Sequence, residues 1–286
     1  MPLPIPARLT ANCTTPERRE WLRRLPDMLR DLELRWSFVA HAPFDGPEVS
    51  CAWVAPVALA TGDSAVLKLG MPHFEGEHEI EGLCFWAGNP TVRVLDSDVE
   101  FGAMLLERCE PGTPLRALAE PEQDVVIAGL LRRLWRDPST PHPFRPLSTL
   151  LRFWSDETQT REASWPDVGL VRAGLHLFKE LAGTAPAQVL LATDLHAGNV
   201  LRSRREPWLV IDPKPFVGDP AFDVTQHLFN CSERLLADPT ATIRHIADLT
   251  GLDWQRIRVW TFACAASEPR GNWSEDSIML ARAIAP

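Results

Sequence analysis

Apolar and polar positions follow two different rhythms along the 286-residue chain, and the change of rhythm divides it. A helix opens at Thr15-Pro16-Glu17, with Thr15 as N-cap, Pro16 in the first position and an acid in the first turn. Pro26 is expected to kink or end it. Short β-like runs follow, at Trp36 to Ala40, Val49 to Val57 and Ala65 to Leu69. Turn signals separate them at Phe44-Asp45-Gly46-Pro47 and Thr61-Gly62-Asp63. Phe74 to Trp86 reads as an acidic amphipathic helix, and Val92 to Leu95 and Ala103 to Glu107 as two further strands. Beyond a Pro- and Gly-containing hinge, Cys109 to Pro114, the spacing becomes helical. Helices are predicted over Glu122 to Arg136, Leu147 to Ala163, Asp167 to Leu181, Asp219 to Leu236, Ala241 to Leu249 and Trp254 to Ala266. One insert interrupts them, with strands at Gln188 to Leu191, Val200 to Arg202 and Trp208 to Ile211. The expectation is an α+β fold: an antiparallel β-rich N-terminal lobe, residues 1–108, and a mainly helical C-terminal lobe, residues 109–286. A cleft between two such lobes is a common place for a ligand.

Composition narrows this picture modestly. Hydrophobic content of 45% and charged content of 23% are those of an ordinary soluble globular chain. No apolar run reaches the roughly 20 residues of a membrane span, and the N-terminus lacks the pattern of a signal peptide. Six scattered cysteines without a CxxC pair predict reduced thiols and a cytoplasmic setting rather than a disulfide framework or a zinc site. A net charge of −9 argues against nucleic-acid binding and suits a small cationic substrate. The chain has no Tyr, which removes that residue from the catalytic candidates.

The chemistry concentrates in Leu190 to Asp223, "LLATDLHAGNVLRSRREPWLVIDPKPFVGDPAFD". Asp194-Leu-His-Ala-Gly-Asn199 is D-x-x-x-x-N. In phosphoryl transfer that spacing lets the Asp accept a proton from the acceptor hydroxyl while the Asn turns back to a Mg²⁺ ion. Asp212, at the end of an apolar strand, is the expected second ligand. Two strands each ending in an Asp and joined by a short turn would deliver both carboxylates to one edge. Hard Mg²⁺ prefers these oxygen donors to His196. Singly, each of these features has a plain reading as a turn or a cap; together, between apolar strands, they read as a site. No GK[ST] loop is present, which excludes a P-loop NTPase.

"DLHAGNVL…WLVIDPKPFVGDPAFDVTQHL", "AVLKLGMPHFEGEHEIEGLCFWAG" and "MLLERCEPGTPL" resemble the aminoglycoside phosphotransferase family, a branch of the protein-kinase-like fold. Within it the likeness is to the streptomycin 6-kinase and hydroxyurea phosphotransferase group, from about Trp36 to the C-terminal region. The resemblance implies an ATP- and Mg²⁺-dependent transfer to a hydroxyl, with Asp194 as catalytic base and Asn199 and Asp212 as metal ligands. Lys68 would bind the nucleotide phosphates, and Glu79, chosen by its family position over Glu75, Glu77 and Glu81, would hold it as an ion pair. Backbone groups around Glu107 to Cys109 would bond the purine, and a flap carrying Gly46 and Ser50 would cover the phosphates. Asp223 is expected to brace the catalytic loop, with Asp219 a brace or an N-cap. The acceptor would be an aminocyclitol such as streptomycin, met by carboxylates drawn from Asp156, Glu157, Glu233 and Glu268. Hydroxyurea or another natural product, or nucleotide binding without turnover, is the alternative. Ala192-Thr193 stands where most of the wider family has His-Gly.

Overall fold

The computed structural model describes residues 4–46, 51–268 and 273–286. The chain separates into two compact units. The first runs to Gly112 and adds Arg202–Leu209; the second holds Thr113–Leu201 and everything from Val210 onward.

The first unit begins with α1 (Ala7–Asn12) and α2 (Pro16–Trp36), the latter capped by Thr15, whose hydroxyl accepts from the Arg18 N–H at 3.3 Å. Pro26 neither ends nor breaks α2, contrary to expectation. Pro26 itself lies on the exposed face of the helix. The stripe Trp21, Leu25, Met28, Leu29 and Leu32 stays buried on the other side and holds the helix together. Five antiparallel strands follow: β1 (Phe38–Ala40), β2 (Ala52–Leu59), β3 (Ser64–Gly70), β4 (Val94–Asp98) and β5 (Ala103–Glu107), in the order β1-β2-β3-β5-β4. Strand alternation sorts their side chains. Trp53, Ala55 and Val57 of β2, Ala65, Leu67 and Leu69 of β3 and Ala103 and Leu105 of β5 join the α2 stripe in one core. The intervening residue of β3, Lys68, therefore belongs to the opposite face. The helix expected over Phe74 to Trp86 is shorter: one 3-10 turn at Phe74–Gly76, then α3 (Glu79–Trp86). Gly76 lies against the His73 ring, so the chain folds back there before the helix starts.

The second unit holds α4 (Glu120–Leu134), α5 (Leu147–Gln159) and α6 (Val168–Gly183). Four short strands come next in the chain: β6 (Val189–Leu191), β7 (Val200–Arg202), β8 (Trp208–Val210) and β9 (Phe216–Gly218); Arg202 of β7 and Trp208 and Leu209 of β8 count with the first unit. The chain closes with α7 (Pro220–Asn230), α8 (Ser232–Ala237), α9 (Pro239–Thr250), α10 (Trp254–Ser267) and α11 (Glu275–Ala283). Its core is aromatic. The Phe222 ring meets Trp260 edge-on at 5.2 Å and Trp154 at 6.0 Å, and Phe178 touches both tryptophans. The single predicted helix Asp219 to Leu236 is two, broken at Cys231. β9, α1 and α11 are not anticipated by the sequence pattern. Among the described residues no helix is long and apolar enough to cross a membrane.

Candidate active site

The two aspartates do not end two strands of one hairpin. β6, which leads to Asp194, pairs with β9, while β8, which leads to Asp212, pairs with β7. Bonds between the loops gather the carboxylates instead. The Lys214 N–H donates to the Ala192 carbonyl at 2.8 Å, and the Ile211 N–H to the Asn199 carbonyl at 2.9 Å. The Asn199 amide N–H₂ donates to the Asp194 carbonyl at 3.0 Å, closing a 3-10 turn over Ala197–Asn199. His196 is part of that turn, accepting from the Gly198 N–H through Nδ1 at 3.0 Å.

Two residues in this net hold left-handed backbone without being glycine: Thr193 at φ 48° and Asp212 at φ 53°. Such a conformation costs on the order of 1–3 kcal/mol and persists only where its surroundings fix it. At Thr193 the fixing groups are clear. Its N–H donates to Asp223 Oδ1 at 2.6 Å, the Ala192 N–H to Oδ2 at 3.0 Å, and its hydroxyl to the Lys214 carbonyl at 2.5 Å. Asp223 is fully buried and also receives the Trp135 indole N–H at 3.1 Å. Burial pushes its carboxyl up to about 6, against the downward pull of these three donors. Asp223 thus braces the loop as expected, whereas Asp219 is an N-cap. Asp219 accepts the Ala221 N–H at 3.0 Å, with Trp260 and Arg256 on its other oxygen. Between the two lies Phe222, at the centre of the aromatic core. Five of the six residues of "GDPAFD" thus have a physical task, among them Gly218, where a Cβ would stand 2.5 Å from that of Leu147.

In the first unit Lys68 is buried and its ammonium bonds both oxygens of Glu79, at 2.5 and 2.6 Å. Strand period places Lys68, and the N-terminal turn of α3 presents Glu79, where the helix dipole also favours a carboxylate. Glu107 has a structural partner: Arg205 clasps it at 2.9 Å while bonding the Gly88 and Thr91 carbonyls at 2.8 and 2.9 Å. Burial alone would raise the Glu107 carboxyl, but Arg205 and the Arg93 N–H hold it below the usual range. Burial and the nearby Glu107 push the Cys109 thiol up to about 12. Ser50 lies outside the described residues.

Comparison with known proteins identifies the group to which this loop belongs. The model of the aminoglycoside/hydroxyurea antibiotic resistance kinases matches residues 35–276. The chain belongs to that kinase family. It is 35% identical to a streptomycin 6-kinase from Streptomyces glaucescens over 256 residues, which span 86% of this chain and 82% of that one. It is 35% identical over 248 residues to a hydroxyurea phosphotransferase from Kitasatospora aureofaciens, covering 85% and 72%. The fold is that of a choline kinase structure from Streptococcus pneumoniae, with a TM-score of 0.61 and 15% identity over 92% of this chain and 97% of that one. The kinase family and the protein-kinase-like fold expected from the motifs are both borne out.

For a member of this family, the residue that sequence reasoning passed over is Lys214. It is buried, and its ammonium bonds the Asp212 carboxylate and, at 3.3 Å, the Asp212 carbonyl. A Lys between two prolines in apolar surroundings needs a counter-ion, and Asp212 two residues earlier was the signal. Arg205 was missed for a different reason, since its partners lie about a hundred residues away in the chain.

Proposed function

We propose that the protein transfers the γ-phosphoryl group of ATP to a hydroxyl of streptomycin, as a resistance kinase. The observation that carries this reading is the bond from the Asn199 amide to the Asp194 carbonyl. It fixes the amide with its N–H₂ group engaged, leaving the amide oxygen as the group available to a cation. Asp212 adds a carboxylate. The donor set is thus all oxygen, which suits hard Mg²⁺. When bound, that ion neutralises phosphate charge.

The chain's own residues do the rest. Lys68, held by Glu79, binds nucleotide phosphates. The braced loop orients Asp194, which takes the proton as the acceptor oxygen bonds to the γ-phosphorus and the bond to the ADP oxygen breaks. Positioning and charge stabilisation account for the rate. Backbone groups at Glu107 to Cys109 bond the purine. The streptomycin 6-kinase relatives support this acceptor, and the net charge of −9 favours a cation. The test is ADP release from the purified protein with Mg²⁺, with and without streptomycin. Release that depends on streptomycin is expected. Release only with hydroxyurea, or none with any acceptor in a broad panel, contradicts the assignment.

A further inference from the structure

Lys214 carries the only Lys or Arg side chain of the two loop segments 192–199 and 211–214, which hold Asp194, Asn199 and Asp212. Its backbone is held from two sides. The Lys214 N–H donates to the Ala192 carbonyl at 2.8 Å, and the Lys214 carbonyl accepts the Thr193 hydroxyl at 2.5 Å. Pro213 and Pro215 flank it, and a following proline keeps a residue in extended backbone. Pro213, Lys214, Pro215 and Phe216 are all buried. Two of its partners, Thr193 and Asp212, keep left-handed φ values of 48° and 53°.

The ion pair it forms is lopsided. The ammonium bonds the Asp212 carboxylate and, at 3.3 Å, the Asp212 carbonyl. The Lys214 side chain is 10% exposed, that of Asp212 39%. A carboxylate so open to water gains little from a counter-ion. A buried ammonium, by contrast, depends on its partner. The pair is therefore arranged around the lysine, and a brace for Asp212 does not explain it.

Asp212 is also the carboxylate assigned above to a divalent cation. Two cations on one carboxylate repel each other. The terminal phosphate of a nucleotide resolves the conflict, because it brings negative oxygens of its own. A lysine head on a flexible four-carbon stem can turn to such oxygens while its backbone stays fixed.

We infer that Lys214 is a second phosphate-binding lysine, in addition to Lys68. When the nucleotide binds, the Lys214 ammonium passes from Asp212 to oxygens of the γ-phosphate. There it offsets the charge that develops as the bond to the ADP oxygen breaks, and the Asp212 carboxylate is left to the cation. The inference rests on the kinase reading above and extends it by one residue.

Calorimetric titration of ATP, and separately of ADP, into the full chain in EDTA tests this without metal, acceptor or turnover. In Lys214→Met the Kd for ATP should rise about 10- to 100-fold and that for ADP stay within about threefold, since only ATP carries the γ-phosphate. Lys214→Arg keeps the charge and should recover most of the ATP affinity. Lys214→Gln keeps a polar head toward Asp212, should show the same selective loss, and serves as a second variant should the methionine change fail to fold. Equal weakening of ATP and ADP in a folded variant, or weakening of neither, marks a counter-ion only and overturns the inference. Wild-type protein that binds neither nucleotide in EDTA overturns it as well, and binding restored by Mg²⁺ then leaves the kinase reading intact. A selective loss in the variants, beside a wild type that phosphorylates no acceptor, overturns the kinase reading alone.

Discussion

Thr193 shows how much a single residue can be asked to do. It occupies a left-handed position that glycine would fill without strain, and it stands where most of the wider family has glycine. What it gains is the hydroxyl bond to the Lys214 carbonyl. Thr193→Ala keeps the strain and loses that bond, and should cost about 1–3 kcal/mol. Thr193→Gly loses the bond but relieves the backbone, so it should be milder than the alanine change by about 1 kcal/mol. Urea unfolding of the two variants checks the order. Spacing singled out Asp194, Asn199 and Asp212, whereas Lys68 and Glu79 came from the family resemblance, and the structure pairs those two. Sequence could not show Thr193 as a clamp, because that depends on a backbone turn that no periodicity announces.

At the scale of elements, what packing decides was harder to read than what periodicity decides. Strands β3 and β5 were legible nearly to the residue, whereas β2, expected over Val49 to Val57, runs Ala52–Leu59. α2 was misread at Pro26, since a local rule was applied where tertiary burial outweighs it. The same balance gives a prediction: Pro26→Ala restores an interior helix bond at an exposed position and should raise stability by about 1–3 kcal/mol in chemical denaturation. β9 was missed although β6, β7 and β8 of the same length were expected, yet it is the partner of β6. The sequence suggested a hairpin joining the two aspartates. The correct pairing crosses it, and loop hydrogen bonds do the gathering.

Across the molecule, charge is concentrated where it is paired. In the second unit Asp124 is buried between Arg234, at 2.8 Å, and His227 Nε2, at 2.7 Å, tying α4 to α7 and α8. Cys231 lies nearby, but Arg234 engages both carboxylate oxygens of Asp124 and His227 one of them, so the group is taken up within the protein. Burial alone would raise the Asp124 carboxyl; Arg234 and His227 together bring it down to about 2. A carboxyl held below its unfolded value binds fewer protons in the folded state. Its contribution is therefore complete above about pH 4 and lost as the pH falls toward 2. That loss is on the order of 2 kcal/mol. Asp124→Asn should flatten that part of the acid-unfolding curve while lowering stability at pH 7 by about 3–5 kcal/mol. An acid limb of unchanged slope in the variant would remove Asp124 from the explanation. The first unit holds its own buried pair, Lys68 with Glu79, and the clasp of Arg205 on Glu107.

The central claim is that Asp194 acts on the acceptor hydroxyl. The most direct measurement is streptomycin-dependent ADP release by Asp194→Asn, a change that keeps the side chain's shape and removes its ability to take a proton. The account predicts kcat lower by about 10²–10⁴-fold, with the KM for ATP and the thermal midpoint close to wild type. A variant that keeps kcat within about tenfold of wild type would contradict it.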